Sequence, residues 1–229
     1  MIDFLRKVLS GETAAGGTAT HGSSKHAGAF ARSITSEETS FERKSNGLRH
    51  FFEKLPQEPA TMLDLGGLTQ SNVDFLSDLG CRIHAVDLLQ AFDERREQLT
   101  DGVFDAETSK EFVQELLQFE PGQFDAVMVW DVLEFLDSDL LHLVVPRLSQ
   151  ILRPGGGLLS FFHAQSRGET VQMYRYCIEG TETLRLRGRQ LRTLPTTFNN
   201  RGLERLFSEF SAVKFFLTRD HLREVIATR

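Results

Sequence analysis

The chain has 229 residues, 40% of them apolar, and a formal charge of −6 at pH 7. That is enough apolar material for one full core, so one domain is expected, and the mild acidity argues against a general nucleic-acid binder, which needs a basic surface. Two cysteines, Cys81 and Cys177, suggest no disulfide framework or metal site and fit a reducing cytoplasm, and no apolar run approaches a membrane span.

The opening MIDFLRKVLSG is too short and too charged for a signal peptide. Ile2, Leu5, Val8 and Leu9 lie near one face of a possible short helix, which reads either as a frayed terminus or as a docking helix. Ser10 to Ser36 is rich in Gly, Ala, Ser and Thr and has almost nothing to bury, so residues 1–39 are expected to form a flexible arm, with His21 and His26 solvated. From Ser40 the texture changes, and 40–229 is expected to be the folded domain. Its first segment, SFERKSNGLRHFFEKL, has helical spacing at Phe41, Leu48, Phe51, Phe52 and Leu55, and Pro56 and Pro59 stop it.

Strands and helices then alternate. TMLDL reads as a strand, and Asn72 to Leu79 as a helix ended by Gly80. RIHAVDL is a strand, Ala91 to Leu99 a helix, and GVFDA a short strand. Ser109 to Phe119 has helical spacing, with Ser109 as its cap. FDAVMVW is apolar at nearly every position, as a buried parallel strand should be. Ser138 to Leu152 is helical with Pro146 inside it, and GLLSFFH is a strand. From Ala164 the rhythm breaks: MYRYCIEGTETLRLRG alternates about a Glu179-Gly180 turn and predicts a β-hairpin within 164–196. Asn200 to Phe210 is a helix, and VKFFLTR and LREVIATR are strands. The pattern is α/β: a Rossmann-like, mostly parallel sheet with helices on both faces.

In such a sheet, ligands bind beyond the carboxyl ends of the central strands. Gly66 and Gly67 follow TMLDL there. They either make a bare tight turn or let a ligand approach the backbone before a helix start that favours anions. Asp87, with Leu88 after it, ends the second strand about twenty residues later. It reads as a helix cap or as the acceptor of two ribose hydroxyls. Asp105 ends the third short strand, where it is a loop carboxylate or a partner for an adenine amino group, with the Phe104 ring against the base. Trp130 and Asp131 end the fourth, where Trp130 is either core or a pocket wall.

LDLGG, AVDL, FDAVMVWDVLEFL and LSQILRPGGGLLSFF stand in the order and spacing of the class I S-adenosylmethionine-dependent methyltransferases, and from about Thr61 to Phe162 the chain resembles that family. The resemblance implies a seven-stranded sheet with its last strand antiparallel, and S-adenosylmethionine as cofactor. It also implies that Asp64 and Gly66 shape the methionine end of the pocket, Asp87 holds the ribose, Asp105 reaches the adenine, and Trp130-Asp131 lines the pocket. Two departures stand out: Leu68 and Gln70 replace later glycines, and Phe135 stands where relatives often have His. They keep open a second reading, a methyltransferase-like binding or scaffold protein without catalysis. A dinucleotide dehydrogenase would need glycines where Leu68 and Ser71 stand, and a P-loop would need Gly-Lys-Ser/Thr.

Methyl transfer needs mainly placement of a nucleophile. If a base is needed, His163 at the end of the fifth strand is the first candidate; its other reading is a hydrogen-bonded structural His. Tyr174, Arg175 and Tyr176 are candidate substrate contacts, with Glu134 beside them. Between Ala164 and Arg205 stand eight arginines and four acids, a local charge of +4. In this family such a segment often covers the acceptor, so a small molecule or an exposed group, anionic by this charge, is expected as the acceptor, and a nucleic acid or membrane partner is not.

Overall fold

The computed structural model describes residues 40–216, 218 and 222–229, all within one compact unit, Ser36–Arg229. The expected arm, short helix, His21 and His26 lie outside the described residues. The elements are β1 (Ser40–Lys44), α1 (Asn46–Glu53), β2 (Thr61–Asp64), α2 (Gln70–Asp78), β3 (Arg82–Ala85), α3 (Leu88–Gln98), α4 (Ala106–Leu116), β4 (Phe124–Trp130), a 3-10 turn (Leu133–Phe135), α5 (Ser138–Ile151), β5 (Leu152–His163), β6 (Thr170–Gly180), β7 (Thr183–Thr193), α6 (Asn200–Leu206), β8 (Ala212–Phe216) and β9 (Leu222–Thr228).

The main sheet runs β3-β2-β4-β5-β9-β8. The pairs β2-β3, β2-β4 and β4-β5 are parallel, and β9 is antiparallel to both neighbours. Side chains alternate along the strands between two cores. Leu63, Val127, Val129, Leu158 and Phe162 face α3, α4, α5 and α6. Met62, Ala126, Met128, Leu159 and Phe161 face α1, α2 and a second sheet. Seven FDAVMVW residues are buried because both faces of β4 are covered.

The α/β class and the antiparallel last strand are as expected, but the main sheet has six strands among the described residues. Gly102–Asp105 adds none. The Asp101 carboxylate takes the Val103 N–H at 3.1 Å, removing a ladder donor. Phe104 turns into the core instead, stacked on Phe92 with ring centroids 5.0 Å apart.

The second sheet has the order β1-β7-β6. The expected hairpin forms as β6 and β7, turning at Thr181-Glu182. Its third strand corrects the sequence expectation: Ser40–Lys44 pairs with β7 rather than starting a helix. Phe41, expected to be buried, is 43% exposed. The helix starts only at Asn46, where the Ser45 hydroxyl accepts from the Leu48 N–H at 2.9 Å. Likewise α4 starts at Ala106 because Asp105, not Ser109, caps it.

Candidate functional site

The turn after β2 and the start of α3 meet at the carboxyl edge of the sheet. Gly66 and Asp87 form an isolated antiparallel bridge. Gly67 has φ +81°, and a Cβ there would stand 2.5 Å from Asp87 Oδ2, so the turn needs glycine for both conformation and space. Asp87 Oδ1 accepts from the Gln90 N–H at 3.0 Å and caps α3. Its Oδ2 faces Gly67 and lies 3.7 Å from the Arg189 guanidinium of β7. The two readings of Asp87, cap and ligand group, thus fall to different oxygens of one carboxylate.

Asp64 is fully buried at the end of β2. Its Oδ1 accepts from the Gly66 N–H at 2.9 Å and from Trp130 Nε1 at 2.8 Å. Asn72, in the first turn of α2, reaches its Oδ2 at 3.5 Å and also accepts from the Ile178 N–H of β6 at 2.7 Å. Burial pushes the Asp64 carboxyl up, against the hydrogen bonds from Gly66, Trp130 and Asn72. Asn72 was not singled out in the sequence, where a polar residue at a helix start reads as ordinary.

Trp130 is both core and pocket wall. It is 2% exposed and stacks on Tyr176 of β6, centroids 5.0 Å apart and planes 5° from parallel. A Cβ on Gly66 would overlap its Cδ1. Its backbone has φ +57°, the only positive φ among described non-glycine residues. For a bulky residue this costs of the order of 1–3 kcal/mol and persists only where the surroundings impose it. Here the Asp64 and Tyr176 contacts, with Ser160 Oγ donating to the Trp130 carbonyl at 2.9 Å, impose it. Leu68 is 41% exposed and does not fill the turn.

A second group of buried polar residues lies at the ends of β4 and β5. The Glu134 carboxylate accepts from the His163 backbone N–H and contacts His163 Nδ1. His163 Nε2 lies 3.4 Å from the Gln172 carbonyl of β6. Asp131 and the Tyr176 hydroxyl face each other, yet Asp131 Oδ2 and Tyr176 Oη complete no hydrogen bond. Burial lowers His163, but its bond to Glu134 and the charges of Glu134 and Asp131 outweigh it, so its pKa is raised. Burial raises Glu134 and Asp131, against the pull of His163. The His163 ring stands 6.1 Å from that of Phe135.

Asp64, Gly66, Gly67, Asp87 and Trp130 come together, and Asp131, Tyr176 and His163 form a neighbouring group. Other expected site residues lie elsewhere. Leu88, the first residue of α3, is fully buried, and Phe104 is in the same core. Neither presents a surface to a nucleoside, because the apolar face of α3 claims both. Asp105 is exposed and caps α4 through the Thr108 N–H at 2.8 Å, and that N–H with the Thr108 hydroxyl holds its carboxyl low. Tyr174 packs edge-on against Phe41 at 5.6 Å. Arg175 is exposed opposite Arg187, on the hairpin face turned away from Tyr174 and Tyr176.

An open, mostly parallel α/β sheet with a glycine turn and a strand-end carboxylate at its carboxyl edge defines the Rossmann-like class of nucleotide-type sites. Residues 37–211 match the family described as methyltransferase domain, and the chain belongs to that family, whose fold and cofactor are those of S-adenosylmethionine-dependent enzymes. No curated protein matches it. Among solved structures, it is similar to a protein from Pyrococcus horikoshii OT3 (16% identity, 80% of this chain and 87% of that one, TM-score 0.46). It is also similar to the Burkholderia thailandensis 1,6-didemethyltoxoflavin-N1-methyltransferase, crystallised with its substrate and S-adenosylhomocysteine (17%, 81% and 79%, TM-score 0.44). An S-adenosylmethionine-dependent methyltransferase from Archaeoglobus fulgidus is a third (13%, 80% and 91%, TM-score 0.48).

Proposed function

We propose that the protein transfers a methyl group from S-adenosylmethionine to a small-molecule acceptor. The observation that carries this reading is the meeting of the Gly66-Gly67 turn with Asp87 at the carboxyl edge of the sheet, Gly67 facing the Asp87 Oδ2. Asp87 would hold the ribose hydroxyls, and Asp64 with Gly66 would shape the methionine end. The cofactor supplies a methyl group already activated by its sulfonium. The chain's task is then to place the acceptor, exclude water and take up a proton where the acceptor carries one.

His163 suits the last task. Glu134 holds Nδ1 and fixes the ring, and Nε2, which here faces the Gln172 carbonyl, would take the proton once that carbonyl moves away. Of the arginines in the cover, Arg185, Arg189 and Arg192 already pair with Glu179, Asp87 and Asp93. Arg205 instead lines a groove of about 480 Å³ between α5 and α6, with His142, Thr197 and Asn199. That groove supports an anionic acceptor better than the outer hairpin face does. The two free cysteines suit a cytoplasmic setting, and among the described residues no helix is long and apolar enough to cross a membrane.

Isothermal titration with S-adenosylmethionine and S-adenosylhomocysteine tests the cofactor reading. Asp87→Ala should weaken binding by about 1–3 kcal/mol, through loss of a charged acceptor. Unchanged affinity in a folded variant would remove Asp87 from the site. Failure of the wild-type chain and of the variants below to bind either compound would favour a binding or scaffold role.

A further inference from the structure

The groups that would receive the cofactor are already engaged by the chain itself. The Trp130 indole lies against Gly66 and donates to Asp64, the two residues at the methionine end. The Arg189 guanidinium stands by Asp87 Oδ2, the oxygen left free by the helix cap. Resting on the cofactor reading above, we propose that the cradle is self-capped: the Trp130 indole and the Arg189 guanidinium hold the places the cofactor needs, and cofactor binding expels both.

Three further observations fit a device built to open. Trp130 carries a backbone conformation that a bulky side chain rarely adopts, and one of the contacts imposing it, the bond to Asp64, is also a capping contact, so releasing it removes part of what holds the strain. Arg189 sits where the hairpin ladder is irregular. Between the pairs Gln172–Leu191 and Tyr174–Gly188, Met173 faces both Arg189 and Gln190, a bulge beside a glycine. Bulges re-aim a side chain and weaken pairing locally. The paired strand β6 covers His163 Nε2 with the Gln172 carbonyl, so one movement of the β6-β7 strap would uncover both the cradle and the base. The turn end of the strap stays anchored, through Asn72 to Ile178 and through the Ser45 N–H to the Glu182 carbonyl at 2.9 Å.

Trp130 is the sole tryptophan of the chain, so its emission reports the cap directly. Titration of the wild-type protein with S-adenosylhomocysteine should shift that emission and increase its quenching by acrylamide. Arg189→Ala, at a partly exposed position, should bind S-adenosylhomocysteine about tenfold tighter, because a competing self-contact no longer depletes the open form. Trp130→Phe, which lacks the N–H to Asp64, should also bind tighter. If calorimetry shows binding while emission and quenching stay fixed and Arg189→Ala binds as the wild type does, the cap is overturned and the cofactor reading stands. If neither wild type nor either variant binds, the cofactor reading falls and takes the cap with it. Should a variant lose its fold by circular dichroism, the wild-type emission and quenching titration decides alone.

Discussion

A methyl group added at position 66 has no room. The Gly66→Ala variant must push the Trp130 indole off its stack with Tyr176 and its bond to Asp64. Overpacking of this kind costs about 1–3 kcal/mol. Urea melts should show that loss, and Trp130 emission should shift in the folded variant; an unperturbed spectrum would mean that the indole does not lie against the turn. The same contact explains why the glycine pair was legible in the sequence but only half understood. Its second member answers to backbone conformation and Asp87, its first to an aromatic ring from another strand, which nothing local to LDLGG announces. Asp87 and Asp105 carried the same strand-end signal, and both carboxylates cap the helix that follows; only Asp87 also faces the glycine turn.

The elements that the sequence hid are those whose partners lie far away. Ser40–Lys44 has one buried residue, Arg43, so it carries no apolar period of its own. Its pairing depends on β7, more than a hundred residues on. Arg43 donates to Glu224 Oε1 of β9 at 2.5 Å, and the Gly47 N–H donates to Oε2 at 2.5 Å. One fully buried carboxylate thereby ties β1 and α1 to the main sheet. A charged residue at an inward position of LREVIAT was the available signal. Glu224→Ala leaves a buried guanidinium and a backbone donor stripped of a charged partner, and should destabilise the fold by about 3–5 kcal/mol in denaturant melts. A loss below 1 kcal/mol would show that β1 is held by its ladder alone.

At the scale of the whole molecule, the alternation of buried strands and helices was readable because both faces of the central strands are covered, which leaves unbroken apolar runs. The strand count was not, since a single side chain, Asp101, decides the fate of Val103. The global pH response follows from the buried acids. Asp64, Asp131 and Glu134 are raised above the ordinary 3.8 and 4.5, and His163 above 6.5. Each holds its proton more tightly folded than unfolded. Between its unfolded and folded pKa the native state carries the extra proton, so stability falls as pH rises through that window. Wild-type stability minus that of Asp131→Asn should therefore decline with rising pH from about 4, by up to about 1.4 kcal/mol per pH unit within the window. Paired urea melts from pH 4 to pH 8 test this; a difference that grows with pH would contradict it. The sheet order carries a consequence for synthesis. Because β9 lies between β5 and β8, a nascent chain leaving the ribosome exposes the bare flank of β5 and an unmated β8 until Leu222–Thr228 emerges. Chains made only that far therefore present two open strand edges, and sheet closure waits on Leu222–Thr228.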